Sequence, residues 1–314
     1  MDIDDRAPSA KPSMPPIVYV YLAIVVVTWS ANWPLMKLAI GEVPPLLFVL
    51  VRLVGGLLLV APALVATGQG LVPRRGERWG LFWVGQGQVA GFLICSIIGL
   101  SILPAGRAIV LAYTMPLWAI PIGLFLWPAP LGRRAMVGAA IGFAGLVLFM
   151  NPGLVDWTNP RILAGNAMLL LAAISWALGS CYYRRRRWQT PFWVQTFWQL
   201  LVSTVPAAVI VASGMAGWNV HFSATSIAIV AYNCIVTTAL GYFLWNKVLS
   251  LMPAAMAGQV MTLTPIGGFV LSAWLFGGAI TADVVASIVL IVAGICVTLG
   301  RSGSGNKLPA TNPL

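Results

Sequence analysis

The chain has 314 residues, of which 60% are hydrophobic and only 8% are charged, and its mean hydropathy is +0.91. Because a soluble domain carries about 25% charged residues, this composition excludes an ordinary soluble protein and indicates that much of the chain faces lipid. The formal net charge of +11 would indicate a nucleic-acid partner in a soluble protein. The arginines lie in clusters between apolar runs, however, so we interpret them as topology signals and predict no nucleic-acid binding.

Ten apolar runs follow a polar, proline-rich segment at 1–16, which we predict to be a disordered cytoplasmic tail. Most runs approach the ~20 residues that cross a bilayer as a helix. We therefore predict an all-α membrane protein with ten transmembrane helices and a second cytoplasmic tail at 301–314. The runs lie at 17–40, 45–67, 80–103, 104–128, 135–150, 162–183, 191–213, 225–250, 253–276 and 283–300.

The fourth run is repeated in the ninth. A shift of 149 residues that carries Pro104 to Pro253 also carries Pro116 to Pro265, and two prolines at matched positions in apolar segments are rare by chance. We therefore predict two repeats of five helices, at 17–150 and 162–300. Because five is odd, the second repeat enters the membrane in the opposite sense, and such inverted repeats are typical of secondary transporters with a substrate site near the midplane.

Basic residues predict the orientation. If the N-terminus is cytoplasmic, the inner segments hold most of the 18 Lys and Arg, including the run Arg184–Arg187, whereas the outer segments hold only Lys37, Arg107 and Arg161. The positive-inside rule then places both termini in the cytoplasm. The four cysteines are far apart in apolar segments and the chain has one histidine, so we interpret the cysteines as packing residues and predict no metal site and no cofactor.

The stretch TWSANW at Thr28–Trp33, the proline-bearing fourth and ninth helices and the stretch ALGYFLWNKVLSLMPA at Ala239–Ala254 resemble the drug/metabolite transporter superfamily in its EamA-repeat branch. Within that branch the chain is most similar to bacterial inner-membrane exporters of amino acids, especially aromatic ones. The resemblance implies a bacterial inner-membrane protein without enzymatic activity. Such a protein exports amino acids and related metabolites by alternating access through a central cavity.

Polar and aromatic side chains in mid-helix are the candidates for that cavity, because a polar side chain that faces lipid is costly. On the first helix Trp29, Asn32 and Trp33 share one face, and Trp176 holds the matching place on the sixth. The alternative for Asn32 is a hydrogen bond between helices. Gln86 and Gln88 on the third helix are further candidates, as are Tyr242 and Trp245 on the eighth.

The fourth and ninth helices supply the remaining candidates. Pro116 and Pro265 each free a backbone carbonyl one turn earlier, which a water-filled pocket could satisfy. The alternative is a bend that serves packing alone. Pro34, Pro116 and Pro265 are the predicted hinges, and the cavity candidates around the two kinks are Tyr113 and Trp118 in the first repeat and Gln259 and Thr262 in the second.

The charges constrain the cargo. All seven acidic residues map to the tail, loops or helix ends, so we predict transport that does not depend on a titrating membrane carboxylate. Arg52 is the predicted buried cation and could hold the carboxylate of a zwitterion with a bulky side chain. The alternative is that Arg52 snorkels or pairs with helix carbonyls, and that most of the 14 tryptophans belong to interfacial belts.

Two alternatives to this function remain open. Within transport, an exporter of drugs or organic cations would use the same aromatic residues. A membrane-embedded enzyme would need acids, bases or metal ligands, which the apolar runs hardly offer.

The fifth and tenth helices contain glycines that allow close helix packing, namely Gly138, Gly142, Gly145 and Gly294. We interpret them as scaffold contacts or as the interface of a homodimer.

Overall fold

The computed structural model is built from helices, and the residues it describes contain no strand. The described residues are 15–68, 70–126, 133–150, 158–186, 188–215, 217, 220–251, 260–261 and 263–299. The helices are α1 (Ile17–Ala39), α2 (Pro45–Ala66), α3 (Arg78–Val84), α4 (Phe92–Ile102), α5 (Ala105–Ala112), α6 (Met115–Leu126), α7 (Arg133–Met150), α8 (Pro160–Arg185), α9 (Phe192–Ala212), α10 (Ala224–Tyr232), α11 (Gly241–Leu251), α12 (Leu263–Phe276) and α13 (Ala282–Leu299).

Several of these helices are long and apolar enough to cross a membrane, so the prediction of a multi-pass helical membrane protein is confirmed. Six described spans meet the requirement: Ile17–Ala39, Pro45–Ala66, Arg75–Ile102, Pro160–Tyr183, Phe192–Ala212 and Ala224–Trp245. Shorter apolar helices cover Met136–Phe149, Leu263–Phe276 and Ala282–Val297. The total of ten spans stays a prediction, and the predicted tails lie almost wholly outside the described residues, as do Gln259 and Thr262.

Two π-helical segments interrupt spans at matching places in the two halves. Gly85–Gly91 joins α3 to α4 and Asn233–Leu240 joins α10 to α11, and the shift of 149 residues carries 85–91 to 234–240. A π-turn breaks the regular i→i−4 ladder, and each segment receives a donor from the other half. Ser175 Oγ donates to the Gly87 carbonyl at 2.7 Å, and Trp29 Nε1 donates to the Thr237 carbonyl at 3.3 Å.

The packing of helices has the same two-fold pattern. Helix α4 packs on α8 as α11 packs on α1, and α6 packs on α8 as α12 packs on α1. The pairs α2 with α9 and α7 with α13 are each formed by the two copies of one element. Each half therefore makes the contacts that its counterpart makes, which is the arrangement expected of a duplicated chain.

The fourth run is broken rather than merely bent. Helix α5 ends at Ala112, Tyr113 and Thr114 form a turn, and α6 begins at Met115. Pro116 is the second residue of α6, where its missing N–H costs little. The Thr114 hydroxyl donates to the Leu111 carbonyl at 2.6 Å, so one carbonyl at the break is satisfied within the chain.

The glycines of α7 and α13 serve packing within one chain. A methyl group at Gly294 would lie 2.4 Å from the Gly142 backbone nitrogen and 2.5 Å from the Gly138 carbonyl oxygen. A methyl group at Gly145 would also be too close to the partner helix, since it would lie 2.8 Å from the Ile291 backbone nitrogen. These glycines thus let the backbones of α7 and α13 touch, which accounts for them as scaffold contacts inside the molecule.

Candidate functional site

A cavity of about 390 Å³ lies between the two halves. Its lining comes from both repeats, because α1, α4, α6, α8, α9 and the two π-helical segments all contribute residues. Most of the predicted candidates meet there. The lining includes Trp29, Asn32, Trp33, Arg52, Tyr113, Trp176, Tyr242 and Trp245 together with the predicted hinges Pro116 and Pro265.

Two predicted candidates do not line the cavity. Trp118 packs edge-on against Phe143 with ring centroids 5.4 Å apart, and its Nε1 donates to the Thr114 hydroxyl at 3.2 Å. Gln86 donates from Nε2 to the Val202 carbonyl at 2.8 Å. Both side chains are thus engaged in helix packing, and Gln88 is the glutamine of the first π-helical segment that faces the cavity. The predicted hinge Pro34 is buried inside α1, outside this lining.

Helix α9 supplies lining residues that the sequence analysis missed. Phe192, Thr196 and Gln199 line the cavity, as does Phe92 of α4. The signal for Thr196 and Gln199 was present in the sequence, since they are polar residues three apart within an apolar run, where polar side chains face protein or a cavity.

The wall of the cavity is aromatic, and its rings contact one another. Trp29 lies 6.1 Å from both Tyr242 and Trp245, measured between ring centroids. Trp33 meets Tyr113 edge-on at 6.3 Å, and Phe92 meets Trp176 at 4.9 Å. We call Trp29, Trp33, Tyr113, Trp176, Tyr242 and Trp245 the aromatic wall. Such a surface suits an aromatic or large apolar group, or a cation placed over a ring face.

One part of the lining is polar and buried, and we call it the blind end. This blind end consists of Asn32, Met36, Arg52 and Ser96, which are 6%, 5%, 8% and 3% exposed. The side chain of Arg52 donates from Nε to the Thr238 hydroxyl at 2.9 Å and from Nη1 to Met36 Sδ at 3.6 Å. Arg52 is buried deep between helices, so the alternative in which it snorkels to the membrane surface is wrong.

A close helix contact positions the guanidinium. A methyl group at Gly56 of α2 would lie only 2.5 Å from Thr238 Cγ2, so only glycine allows α2 to approach the second π-helical segment this closely. Arg52 lies one turn before Gly56 on α2 and therefore reaches the Thr238 hydroxyl. The π-turn, the glycine and the arginine together fix one cation at the blind end.

Other residues of the lining lie near helix ends and are partly exposed. We call Tyr183, Phe192 and Trp245 the mouth, because they line the cavity and are partly exposed. Tyr183 lies near the end of α8 and Phe192 begins α9. The partly exposed residues thus lie beside the connection between α8 and α9, which follows the arginines at the end of α8.

Polar contacts join helices beyond the blind end. Lys37 Nζ donates to the carbonyls of Leu100 and Leu103 at 2.6 and 3.0 Å, at the C-terminus of α4 where a cation is favoured. In the connection between α1 and α2, the Glu42 carboxylate accepts from the Ser223 backbone N–H at 3.1 Å. Hydrogen bonding from Ser223, first its side chain and then its backbone, holds the pKa of Glu42 below its usual range.

Acidic groups and metal ligands are scarce around the cavity. Among the described residues that line the cavity, Arg52 is the only charged one, and none of them carries a carboxylate. In the part of the chain that the structure describes, Glu42, Glu77 and Asp283 all lie in connections or at the starts of helices. Nor do the described side chains include three His, Cys, Asp or Glu close enough to hold a metal ion.

Comparisons with known proteins agree with the predicted repeats. The profile of the EamA-like transporter family matches residues 16–151 and 163–300. The uncharacterized transporter YvbV of Bacillus subtilis is 29% identical, covering 90% of this chain and 91% of that protein. A Salmonella typhimurium protein named a probable amino-acid metabolite efflux pump is 26% identical, and the match covers 88% of this chain and 92% of that protein.

A solved crystal structure also shares the fold. It has a TM-score of 0.64 and 20% identity, and the match covers 90% of this chain and 96% of that one. The family match confirms the resemblance inferred from the sequence. The names of the relatives indicate a membrane transporter with a small-molecule substrate rather than an enzyme.

Proposed function

The chain belongs to the EamA-like transporter family, and from that premise we propose that it exports amino acids with aromatic or other bulky neutral side chains, and related metabolites, across a bacterial inner membrane. One observation carries the proposal. The cavity between the repeats combines an aromatic wall with a single buried cation at its blind end. The efflux activity named for the Salmonella typhimurium relative supports the same substrate class.

The proposed transport cycle uses the repeats. Ten helices in two inverted sets of five would rock against each other about the cavity, exposing it first on one side and then on the other. With both termini in the cytoplasm, the mouth faces the cytoplasm and the contacts of Lys37 and Glu42 close the outer side. Pro116 and Pro265, which line the cavity, are the proposed hinges.

A counterflow assay tests the substrate class. Liposomes that contain the purified protein are preloaded with unlabelled amino acid. We expect them to accumulate labelled phenylalanine, tyrosine or tryptophan faster than glycine or aspartate, because only the aromatic side chains are large enough to pack against the aromatic wall. The controls are liposomes without the protein, and liposomes that contain the protein but no internal amino acid. Equal accumulation of glycine and phenylalanine would contradict a preference for bulky side chains.

The second candidate is an exporter of drugs or organic cations. The aromatic wall favours it, because tryptophan and tyrosine faces attract cations. The two functions differ in the need for a carboxylate. An amino-acid exporter is inhibited more strongly by phenylalanine than by its amide, whereas an exporter of organic cations is inhibited more strongly by the amide.

A further inference from the structure

The charge of Arg52 is incompletely balanced inside the protein. A buried cation is costly unless it is paired and hydrogen-bonded, yet the described lining has no carboxylate. Of the guanidinium donors, Nε is bonded to a hydroxyl oxygen, and Nη1 faces only the sulfur of Met36, which is a weak acceptor. An arginine presents five donors, so this one retains capacity for an anion from the cavity.

The guanidinium is also held in place before any cargo arrives. Its bond to Thr238 depends on the close contact between Gly56 and the second π-helical segment. A fixed donor loses little conformational freedom when it binds. An anion that reaches the blind end therefore meets a cation already in position, with the planar geometry that suits a carboxylate.

A second polar group at the blind end lacks a partner. Asn32 Oδ1 is fully covered and receives no hydrogen bond from the described protein atoms, while Asn32 Nδ2 donates to Met36 Sδ at 3.5 Å. An orphaned buried acceptor is destabilising, so a rotation of this amide that met a donor from the cavity would be favourable. Asn32 and Arg52 both donate to Met36 Sδ, which brings the two side chains to the same place in the cavity.

We propose that the blind end is a head-group site in which Arg52 binds the carboxylate of the cargo and the Asn32 carbonyl accepts a hydrogen bond from its amine. The side chain of the cargo then lies against the aromatic wall toward the mouth. The proposal rests on the proposed function and specifies which part of the cargo is recognised. It predicts that an aromatic amine without a carboxylate is a poor ligand.

Inhibition of phenylalanine counterflow tests this arrangement on the wild-type protein first. The inhibitors are phenylalanine, 3-phenylpropanoate, which lacks the amine, and 2-phenylethylamine, which lacks the carboxylate. We expect 2-phenylethylamine to inhibit at least tenfold more weakly than phenylalanine, since a hydrogen bond to a charged group is worth about a factor of ten or more. We expect 3-phenylpropanoate to fall between them.

Two substitutions assign the contacts. Arg52→Gln is expected to weaken inhibition by phenylalanine and 3-phenylpropanoate by about tenfold or more and to leave 2-phenylethylamine unchanged, with partial recovery in Arg52→Lys. Asn32→Leu is expected to remove only the advantage of phenylalanine over 3-phenylpropanoate. Thr28→Val is the control on the same helix, because the Thr28 hydroxyl is bonded to the Ile24 carbonyl at 2.7 Å.

The outcomes separate this proposal from the proposed function. If the wild type carries phenylalanine but Arg52→Gln still prefers it to 2-phenylethylamine, the head-group site is wrong and the exporter function stands. If the wild type carries no aromatic amino acid, both fail. Where a variant does not fold, as judged by its thermal unfolding in detergent, the wild-type series decides alone, and equal inhibition by 2-phenylethylamine and 3-phenylpropanoate overturns the proposal.

Discussion

At the scale of single residues, some tryptophans contact the other half of the molecule and others are exposed on its surface. Trp29 contacts Tyr242 and Trp245 and donates to a π-segment carbonyl, whereas Trp274 of α12 is 78% exposed. The sequence analysis left open the alternative that most of them belong to interfacial belts. The sequence placed Trp29, Asn32 and Trp33 on one helix face by their spacing, and all three line the cavity.

The hydrogen bond of Trp29 predicts a stability effect. Trp29→Phe keeps an aromatic ring beside Tyr242 but leaves the Thr237 carbonyl without its donor, so we expect the free energy of unfolding to fall by about 1–3 kcal/mol. Denaturant unfolding in detergent measures the change. Trp274→Phe is the matched control, expected to change it by less than about 0.5 kcal/mol. Equal effects of the two substitutions would mean that the Trp29 hydrogen bond contributes nothing.

At the scale of elements, hydropathy located the spans but not their internal irregularities. The π-helical segments lie within continuous apolar runs, and nothing in hydropathy distinguishes a π-turn from an α-turn. That missing detail accounts for the position of Gln88 rather than Gln86 in the cavity lining, because a wider turn changes which of two nearby glutamines faces the cavity. The broken fourth span was foreseen, since proline disrupts a helix by a local mechanism.

The contact between α7 and α13 gives the prediction for elements. Gly294→Ala places a methyl group 2.4 Å from the Gly142 backbone nitrogen, and backbone cannot yield as a flexible side chain can. We expect a loss of about 1–3 kcal/mol in unfolding free energy, measured by thermal unfolding of the detergent-solubilised protein. Gly70→Ala is the control, because a methyl group there meets nothing within 4 Å. A Gly294→Ala protein as stable as the wild type would show that these backbones separate at no cost.

At the scale of the whole molecule, the two halves line a shared cavity, and polar contacts join them beyond the blind end. The closing contacts include the bond between Glu42 and Ser223, which joins the connection of α1 and α2 to the start of α10. Alternating access requires this end to open. The sequence predicted inverted repeats but gave no reason to expect which end would be closed.

Cross-linking tests that requirement. In a protein whose four cysteines are replaced, Glu42→Cys and Ser223→Cys joined by a short thiol cross-linker should hold the outer end closed, because the two residues are in contact. We expect counterflow to stop on cross-linking and to return when a cleavable linker is cut. The single substitutions treated with the same reagent are the controls. Undiminished flux in the cross-linked protein would rule out opening at this contact.

The sequence by itself determined the membrane class, the duplication and most of the cavity candidates, since hydrophobicity, repeated prolines and helical spacing are properties of the chain read in one dimension. Only the tertiary structure decided that Gln88 rather than Gln86 faces the cavity, that α9 contributes to its wall, and that Asn32 and Arg52 meet at Met36. The reason is physical. These features depend on the phase of each helix after a π-turn and on how closely the other half approaches at a glycine, and neither quantity is encoded by any single stretch of sequence.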